Sequence, residues 1–424
     1  MSETVVDTRT RTDAGGAPAA AAADRGHRPM AACVLVLLAC AFALSIASLI
    51  ARAKSDATLA LGEIDAWRSG EAMHRIDRAL DVPYAAAVRT TSAALRYRLV
   101  GDLGPQVREG CPGWLFYAAG LRPEPSAQAG AGAGVDVAMH DRLVALRAYA
   151  DALRRAGKTL VVVTVPDKAR VETQALCGLR QDRRMTARWN AWNQALAQAG
   201  IAHVDLLTPL AAARPAFYRT DVHWNARGAQ VAADAVAAIV RPSIGGDGDQ
   251  RFIVEHDSGV RTRVGDLLRL AGLADAPDGW RPAPDIEMPE TIRPVPSGGL
   301  LDETPPAQVL LAGSSFSRRS GFAERLGRAL GREVWNVSVD DGRFDRALAA
   351  SWAKRASWPP SLRVVIWEMS EDALSDGPET GPTSASASTS TSTLTIAPAA
   401  AGPIAAITAP APDNLGNLGN LGNR

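Results

Sequence analysis

The spacing of hydrophobic residues differs from one part of the chain to the next. The first distinct part is an uninterrupted apolar run, which predicts a membrane segment. The run from Met30 to Ala51 contains no charged residue and is long enough to cross a bilayer as a helix. Basic residues flank the run on both sides, so charge does not fix its orientation. A short leading tail favours transfer of the long C-terminal part across the membrane. A cleaved signal peptide, with Ala51-Arg52-Ala53 as its cleavage site, is the alternative.

Strand and helix patterns alternate in the main part of the chain. Aliphatic and β-branched runs predict buried strands at 159–166, 200–207, 309–312, 334–337 and 363–367. Aliphatic residues at helical spacing predict helices at 140–157, 184–199, 229–240, 321–330 and 343–356. Apolar strands separated by helices are typical of a parallel sheet that is covered on both faces. The sequence therefore predicts an α/β fold.

The remaining segments divide the chain into domains and connections. Residues 53–106 have charged and aliphatic side chains at helical spacing, which predicts a helical stalk. The stalk either lifts the α/β part off the membrane or packs against the edge of the α/β part. Residues 241–299 are rich in Pro, Gly and Asp and predict an insertion or lid with one short helix at 264–273. The predicted order is a disordered tail (1–28), a membrane anchor (29–52), a helical stalk (53–106), the α/β domain (107–374) and a disordered low-complexity tail (375–424).

The balance of charges argues against one class of function, and the positions of the cysteines bear on the compartment of the folded part. The chain has 46 basic and 45 acidic residues, so it lacks the basic excess that nucleic-acid binding requires. Cys33 and Cys40 lie in the apolar run, which leaves Cys111 and Cys177 for the folded part. Outside the cytosol these two could form a disulfide; two buried thiols are the alternative.

Asp221 and His223 are the first candidates for chemistry. Their spacing lets the carboxylate orient one ring nitrogen while the other faces a reactant. A structural histidine is the commoner meaning of such a pair, and no second histidine or cysteine at ligand spacing supports a metal site. The strand at 309–312 ends in Gly313-Ser314-Ser315, which would present a hydroxyl at the carboxyl edge of the sheet. These residues predict a Ser-His-Asp hydrolase or acyltransferase.

Six short blocks occur in an order that is typical of one family, and they are Gly113–Tyr117, Val165–Val171, Tyr218–Asn225, Gly265–Leu268, Gly313–Ser317 and Trp367–Glu371. In order and neighbourhood they resemble the alginate O-acetyltransferase AlgX and AlgJ family. The resemblance spans about residues 107–374 and implies a three-layer α/β/α, SGNH-hydrolase-like domain in permuted order, with Asp-x-His ahead of the serine. It also implies a periplasmic protein that acetylates hydroxyls of an exopolysaccharide.

The matching motifs assign catalytic roles by resemblance. Ser315 would be the nucleophile, His223 the general base and Asp221 the group that orients the imidazole. Ser314 is the rival nucleophile, and the family pattern favours Ser315 because the nucleophile follows Gly and a small residue. The backbone N–H of Ser315 is the expected first oxyanion donor, and Asn336 and Gly342 are further candidates, with a strand end and a turn as their alternative roles.

Four further residues are candidates for substrate binding. Arg219 and Trp224 flank the Asp-x-His pair, and Trp often stacks on sugar rings; a packing role is the alternative for Trp224. Lys168 and Arg170 follow a strand and could contact an acidic polymer; solvated loop charges are the alternative. The block Trp367–Glu371 is expected to close the edge of the sheet and to shape the cleft.

Together with the predicted membrane segment, this resemblance implies an O-acetyltransferase that is anchored to the inner membrane and faces the periplasm. Its acceptor would be a bacterial, alginate-like exopolysaccharide, and a membrane-bound multipass O-acyltransferase would supply the acetyl group. The predicted chemistry needs no cofactor and no metal. An acetyl-esterase with the same three residues and a non-catalytic polysaccharide-binding scaffold of an export complex are the alternatives.

Overall fold

The computed structural model describes residues 19–55, 83–122, 135–295 and 306–376, together with positions 64, 67, 73 and 378. These residues belong to one compact unit, Met1–Pro382. Residues 1–18, most of 56–82 and nearly all of the predicted C-terminal tail lie outside the described part.

The helices and strands are α1 (Ala19–Ser55), α2 (Pro83–Val100), β1 (Val107–Glu109), β2 (Leu115–Tyr117), α3 (Ala118–Leu121), α4 (Val135–Arg155), β3 (Thr159–Val165), α5 (Lys168–Val171), α6 (Arg183–Gln198), β4 (Ala202–Val204), α7 (Leu207–Ala212) and α8 (Ala226–Ile244). They continue as β5 (Phe252–His256), β6 (Arg261–Arg263), α9 (Asp266–Leu270), β7 (Asp285–Glu287), β8 (Glu290–Pro294), β9 (Val309–Ala312), α10 (Ser315–Arg318), α11 (Phe322–Leu330), β10 (Trp335–Asn336), α12 (Arg346–Ala353) and β11 (Val364–Ser370). Short 3₁₀ helices lie at Thr173–Ala175, Arg355–Ser357 and Asp372–Ser375.

The central sheet has five parallel strands in the order β10-β9-β11-β3-β4. Ile366 of β11 lies between Val161 of β3 and Leu311 of β9. The expectation that Trp367–Glu371 closes the sheet edge is therefore wrong, since β11 is the middle strand. Its run of buried residues agrees with that position, because a middle strand is covered on both faces.

Helices cover both faces of the sheet and make the three-layer α/β/α arrangement. On one face, α8 and α11 pack residues such as Val236 and Leu326 against Val163. On the other face, α4, α6 and α12 pack residues such as Leu146 and Trp192 against the sheet. The alternation of side chains along each strand produces the two cores. This architecture confirms the predicted α/β fold class.

The N-terminal helix is longer than the predicted anchor. It begins at Ala19, so residues 19–28 are helical and not part of a disordered tail. Its segment Pro29–Ala47 has a mean hydropathy of 2.7, is not buried by the rest of the structure, and is long and apolar enough to cross a membrane. The predicted apolar span is thus present as a helix.

The second part of the predicted stalk packs on the α/β domain. Ala93 and Ala94 of α2 are buried in a cluster with Leu267 and Leu268 of α9. Small side chains on α2 allow this close approach to the inserted segment. Of the two expectations for the stalk, packing against the domain edge fits this helix.

The inserted segment between α8 and β9 contains two small antiparallel sheets, β5-β8 and β6-β7, in addition to α9. The sequence predicted only the helix. The strands were missed because they are short and largely exposed, and they lack the apolar runs of the central sheet.

Cys111 and Cys177 form a disulfide, with Cα atoms 4.8 Å apart. The bond links the turn of the β1-β2 hairpin to the loop that follows α5. Of the two alternatives left open by the sequence, the structure has the disulfide.

Candidate active site

Ser315 lies at the carboxyl edge of the central sheet. The buried strand β9 ends at Ala312, and α10 begins at Ser315 after Gly313 and Ser314. Ser314 is the N-cap, and its hydroxyl accepts a hydrogen bond from the N–H of Phe316 at 3.2 Å. A Cβ on Gly313 would lie 2.4 Å from Ser317 Oγ, so only glycine fits this tight turn. The turn leaves the Ser315 side chain partly exposed.

Asp221 and His223 lie in the loop before α8. Asn225 caps that helix, with its Oδ1 accepting from the N–H of Gly228 at 2.9 Å. Trp224 lies between His223 and the capping residue Asn225. Its side chain is fully buried and fixes the path of the loop. Asp221 and His223 are themselves 1% and 2% exposed. The acid/base pair is therefore held at a rigid loop-to-helix junction.

The three side chains form one hydrogen-bonded series. His223 Nδ1 lies 2.7 Å from Asp221 Oδ1, and His223 Nε2 lies 2.8 Å from Ser315 Oγ. A carboxylate only accepts hydrogen bonds, so Nδ1 carries the proton and Nε2 accepts from the serine hydroxyl. This order of donor and acceptor is the one that activates a serine.

Two residues of the inserted segment reach the Asp-His pair. Arg263 donates to Asp221 Oδ2 at 3.0 Å, and Asp266 Oδ2 lies 3.4 Å from His223 Nδ1. Burial opposes the charged form of Asp221, but hydrogen bonds from His223 and the charge of Arg263 outweigh it and lower the Asp221 pKa. Burial also opposes the imidazolium of His223, yet Asp221 and Asp266 together raise its pKa. The site thus stabilises a protonated imidazole.

The inserted segment also fixes the backbone in front of Asp221. Asp285 accepts hydrogen bonds from the N–H groups of Arg219 and Thr220 at 2.9 and 2.8 Å, and from Thr220 Oγ1 at 2.6 Å. A Cβ on Gly265 would lie 2.1 Å from the carbonyl oxygen of Thr220, so glycine permits this contact. The predicted insertion or lid is therefore a support for the Asp221 loop.

The carboxylate of Glu368 binds the turn between β9 and α10, which carries Ser315. This buried residue of β11 accepts from the N–H of Ser314 at 2.7 Å, from Ser314 Oγ at 2.9 Å and from Ser317 Oγ at 2.6 Å. Burial raises its pKa, while these hydrogen bonds act in the opposite direction. The Ser314 hydroxyl is thus directed at Glu368, whereas that of Ser315 faces His223.

Ser315 and His223 open into a cavity of about 610 Å³. The carboxyl ends of β3, β9 and β11 form its floor, and the loop at 340–343 and α9 contribute to its walls. Its charged lining is mixed, which suits a polar ligand. The charged residues that line it are Asp167, Lys168, Asp266, Arg269, Arg319, Asp340, Asp341, Arg343, Asp372 and Asp376.

Asp221, His223 and Asp266 each bring one possible metal-ligand atom within 4.8 Å of the others. Arg263 already faces Asp221 at 3.0 Å, and Arg319 faces Asp266 at 3.5 Å. These guanidinium groups neutralise the carboxylates and disfavour a cation at this position.

Comparisons with known proteins identify the family. Residues 107–371 match the family described as SGNH hydrolase-like domain, acetyltransferase AlgX, over more than half of the chain. The chain belongs to this family. It is 31% identical over 296 residues to the probable alginate O-acetylase AlgJ of Pseudomonas putida, covering 66% of this chain and 74% of that protein. Its identity to the Pseudomonas aeruginosa protein of the same name is 28% over 298 residues, with 66% and 74% covered.

A solved structure supports the same assignment. The O-acetyltransferase domain of Pseudomonas putida AlgJ superposes with a TM-score of 0.54 at 30% identity, covering 65% of this chain and 94% of that chain. The family resemblance and the SGNH-like fold predicted from the sequence are both confirmed.

Within this SGNH-like domain, two residues predicted to bind substrate are packing residues. Trp224 is fully buried between Phe316 and Phe322, with ring centroids 5.1 and 4.9 Å away, so it cannot stack on a sugar. Arg170 donates to both carboxylate oxygens of Glu371, at 2.6 and 2.8 Å, and is largely buried. The predictions that Trp224 and Arg170 bind substrate are therefore wrong.

Lys168 is also engaged inside the domain. Its ammonium group donates to the carbonyl oxygens of Leu115, Arg219 and Asp221 at 2.6, 2.7 and 3.0 Å. Burial lowers the Lys168 pKa to about 7, but three carbonyl acceptors match the three donors of the charged form. Lys168 therefore supports the Asp221 loop, and the prediction that it contacts an acidic polymer is corrected.

Arg219 remains at the surface, with 40% of its side chain exposed and its Nε 3.5 Å from Asp285. It does not line the cavity of Ser315. Its role in substrate binding remains a prediction.

The two extra oxyanion candidates differ in position. Asn336 donates to the carbonyl of Ser317 at 3.1 Å and accepts from the N–H of Ser338 at 3.0 Å, so its side chain is occupied by local structure. Gly342 lines the cavity, and a Cβ there would lie 2.7 Å from Ser314 Cα. Gly342 is the candidate that the geometry retains.

Several residues of the SGNH-like site were not singled out from the sequence. Asp266 and Glu368 lay inside blocks quoted for the family resemblance, which was the available signal. Arg263 and Asp285 carried no signal, because their partners are more than 40 positions away in the chain.

Proposed function

We propose that this chain is an O-acetyltransferase that moves an acetyl group through an acyl-enzyme on Ser315 to hydroxyls of a bacterial exopolysaccharide of the alginate type. One observation carries the proposal: the hydrogen-bonded series Asp221–His223–Ser315 opens into a cavity of an acetyltransferase-family domain. The named AlgJ relatives support alginate as the acceptor.

The first half of the reaction loads the serine. His223 Nε2 takes the proton of Ser315 as its Oγ attacks the carbonyl carbon of the acetyl donor. Asp221 stabilises the imidazolium, and the N–H groups of Ser315 and Gly342 are the proposed donors to the oxyanion. The bond between the acetyl group and its leaving group breaks, and His223 returns the proton to that group.

The second half unloads the serine. A sugar hydroxyl enters the cavity, gives its proton to His223 and attacks the acetyl-Ser315 ester. The Ser315 Oγ–acetyl bond breaks, a sugar O–acetyl bond forms, and Ser315 regains its proton from His223. Transfer and hydrolysis differ only in whether sugar or water attacks.

The proposed location is the periplasm, with α1 as an anchor in the inner membrane. Activated acetyl groups are made in the cytosol, so we propose that a membrane-bound multipass O-acyltransferase delivers the acetyl group. The apolar segment Pro29–Ala47 supports an anchor. A reporter fused after residue 60 should work only outside the cytosol; activity of the fusion only in the cytosol contradicts this location.

The activity is tested with the full chain in detergent, p-nitrophenyl acetate as donor and oligomannuronate or cello-oligosaccharide as acceptor. Acetylated sugar supports transfer, and acetate alone supports an esterase. Ser315→Ala should lower turnover by at least about 10³-fold. The control, Ser357→Ala, changes a surface serine whose hydroxyl donates to the carbonyl of Lys354. No turnover by the wild type, or full turnover by Ser315→Ala, overturns the proposal.

A further inference from the structure

The small sheet β6-β7 presents one of its two faces to the loop that carries Asp221. In this sheet Arg263 lies opposite Asp285, and Glu287 is two positions further along β7. Side chains on a strand alternate between its two faces, so these three residues share one face, while Ile286, which is 72% exposed, lies on the other. The face towards the loop is charged, and the inserted segment therefore contacts the loop through polar groups.

The two oxygens of the buried Asp221 carboxylate have different donors. Oδ1 accepts from Nδ1 of His223 at 2.7 Å and from the backbone N–H of His223 at 3.1 Å. Oδ2 accepts from Nη2 and Nε of Arg263 at 3.0 and 3.3 Å, and no other group among the described residues donates to it. A buried carboxylate oxygen without a donor is costly, and the cost falls on the ionised form. One half of the Asp221 carboxylate therefore depends on Arg263.

The guanidinium group of Arg263 is itself fixed by two further residues. It lies 4.5 Å from the centre of the Tyr218 ring, and its Nη1 atom lies 3.7 Å from Glu287 Oε1. The Tyr218 hydroxyl donates to the other oxygen of Glu287. Tyr218 and Asp221 belong to the same loop, so these contacts close a ring between the loop and the small sheet. Within this ring the guanidinium cannot rotate away from Asp221 without losing its other two partners.

The charged groups that face the Asp221–His223 pair come from four parts of the chain. They are Asp266 of α9, Arg263 of β6, Arg319 after α10 and Lys168 of α5. Arg319 contacts Asp266, and Lys168 contacts the backbone carbonyl of Asp221, so Arg263 is the cation that pairs with the Asp221 side chain. Its charge also opposes the charge that His223 gains when it takes a proton.

We propose that Arg263 is a positioning residue of the acyl transfer that acts through Asp221, and that Tyr218 and Glu287 fix its guanidinium group. Arg263 keeps the Asp221 carboxylate ionised and directed at Nδ1 of the imidazole, whose Nε2 takes the serine proton. None of these three supporting residues lines the cavity, so they affect the proton transfer and do not bind substrate. This inference rests on the proposed Ser-His-Asp chemistry and does not depend on the acceptor.

The rate at which a fluorophosphonate probe labels Ser315 tests the role of Arg263, because labelling needs neither an acetyl donor nor a sugar. In the full chain in detergent, Arg263→Gln should lower this rate by about 10- to 100-fold, the usual effect of an unpaired buried acceptor. Arg263→Lys keeps the charge and should recover part of the rate. The control, Arg261→Gln, changes an arginine of the same strand whose side chain is 68% exposed, and it should label like the wild type.

A second background separates positioning from a general loss of structure. In Asp221→Asn the charge through which Arg263 acts is gone, so adding Arg263→Gln should change the labelling rate by less than about threefold. The pH dependence gives an independent readout, because the rate rises as His223 loses its proton. Removing the Arg263 charge should raise the His223 pKa and move the curve to higher pH, opposite to the effect of removing the Asp266 charge.

Three results overturn the role of Arg263: a wild-type labelling rate in Arg263→Gln, an equally large loss in the Asp221→Asn background, or a shift of the curve to lower pH. Failure of the proposed function gives a different result. A wild type that is labelled at Ser315 but forms no acetylated sugar contradicts the transferase, while the comparison of labelling rates still tests Arg263. A wild type that is not labelled at Ser315 overturns both.

Discussion

The carboxylate of Asp266 lies 3.4 Å from Nδ1 of His223. The same nitrogen donates to Asp221 at 2.7 Å, so the imidazole faces two negative charges on one side. Asp221 is buried and paired with Arg263, whereas Asp266 is partly exposed and comes from the inserted segment. The insertion therefore contributes directly to the proton affinity of the proposed base.

Asp266→Asn should shift the pH dependence of activity. A general base must be neutral, so the rate rises with pH through the His223 pKa, which is raised above its usual 6.5 in the wild type. Removing the Asp266 charge should lower that pKa and move the rate curve to lower pH, while the maximal rate falls by less than about tenfold. Rates of p-nitrophenyl acetate hydrolysis across the neutral range measure the shift. Asp278→Asn, which changes an acid that is 93% exposed, is the control. A pH curve of Asp266→Asn that coincides with the wild-type curve contradicts this prediction.

Glu368→Gln should disturb the position of Ser315 without unfolding the chain. The amide presents N–H groups to donors at Ser314 and Ser317, so at least one hydrogen bond is lost. We expect kcat for p-nitrophenyl acetate to fall by roughly 10- to 100-fold, the usual cost of an unpaired buried group. Glu255→Gln, an exposed change, is the control. A normal kcat in Glu368→Gln would remove Glu368 from the positioning of the turn.

The same variant should change how stability depends on pH. Burial raises the pKa of Glu368 above its ordinary 4.5, so the folded chain holds this proton to higher pH than the unfolded chain. Wild-type stability should therefore fall as the pH rises from 4.5 towards the raised value. Glu368→Gln cannot titrate and should lack this fall. Urea denaturation of both proteins at several pH values gives the comparison, and parallel curves argue against the raised pKa.

The sequence predicted the central sheet from local runs of apolar residues, whereas the choice of Ser315 as the partner of His223, 92 positions away, needed the family resemblance. The buried strand at 309–312 was bounded correctly, since its apolar run ends at a glycine. The roles of Arg170 and Trp224 were wrong, because nothing local showed that Glu371, 201 positions away, takes the guanidinium or that Phe316 and Phe322 enclose the indole. Long-range partners decide whether a polar or aromatic residue faces substrate or core.

Lys168→Met should destabilise the fold. The substitution keeps most of the apolar stem but removes a charge that satisfies the carbonyls of Leu115, Arg219 and Asp221. Three buried acceptors lose their donor, and we expect a loss of about 3 kcal/mol or more in the free energy of unfolding. Urea denaturation measures this loss against Lys354→Met, an exposed lysine. Equal stabilities of the two variants would mean that the carbonyls find other donors.

Reduction of the disulfide between Cys111 and Cys177 should destabilise the domain. Cys111 and Cys177 close a loop with a sequence separation of 66, for which chain entropy predicts roughly 4 kcal/mol of stabilisation. The unfolding midpoint in urea should therefore drop when dithiothreitol is added. The variant Cys33→Ser/Cys40→Ser leaves only the bonded pair and should show the same drop.

That double variant also tests the oxidising environment expected for a periplasmic domain. Extracted from cells under conditions that block thiol exchange, it should not react with a thiol reagent until it is reduced, and it should then react at Cys111 and Cys177. After denaturation, which opens the membrane segment to the reagent, the parent chain should react before reduction only at Cys33 and Cys40, the two free thiols. Labelling of the double variant before reduction would show that the bond does not form in the cell, and would count against export of the domain.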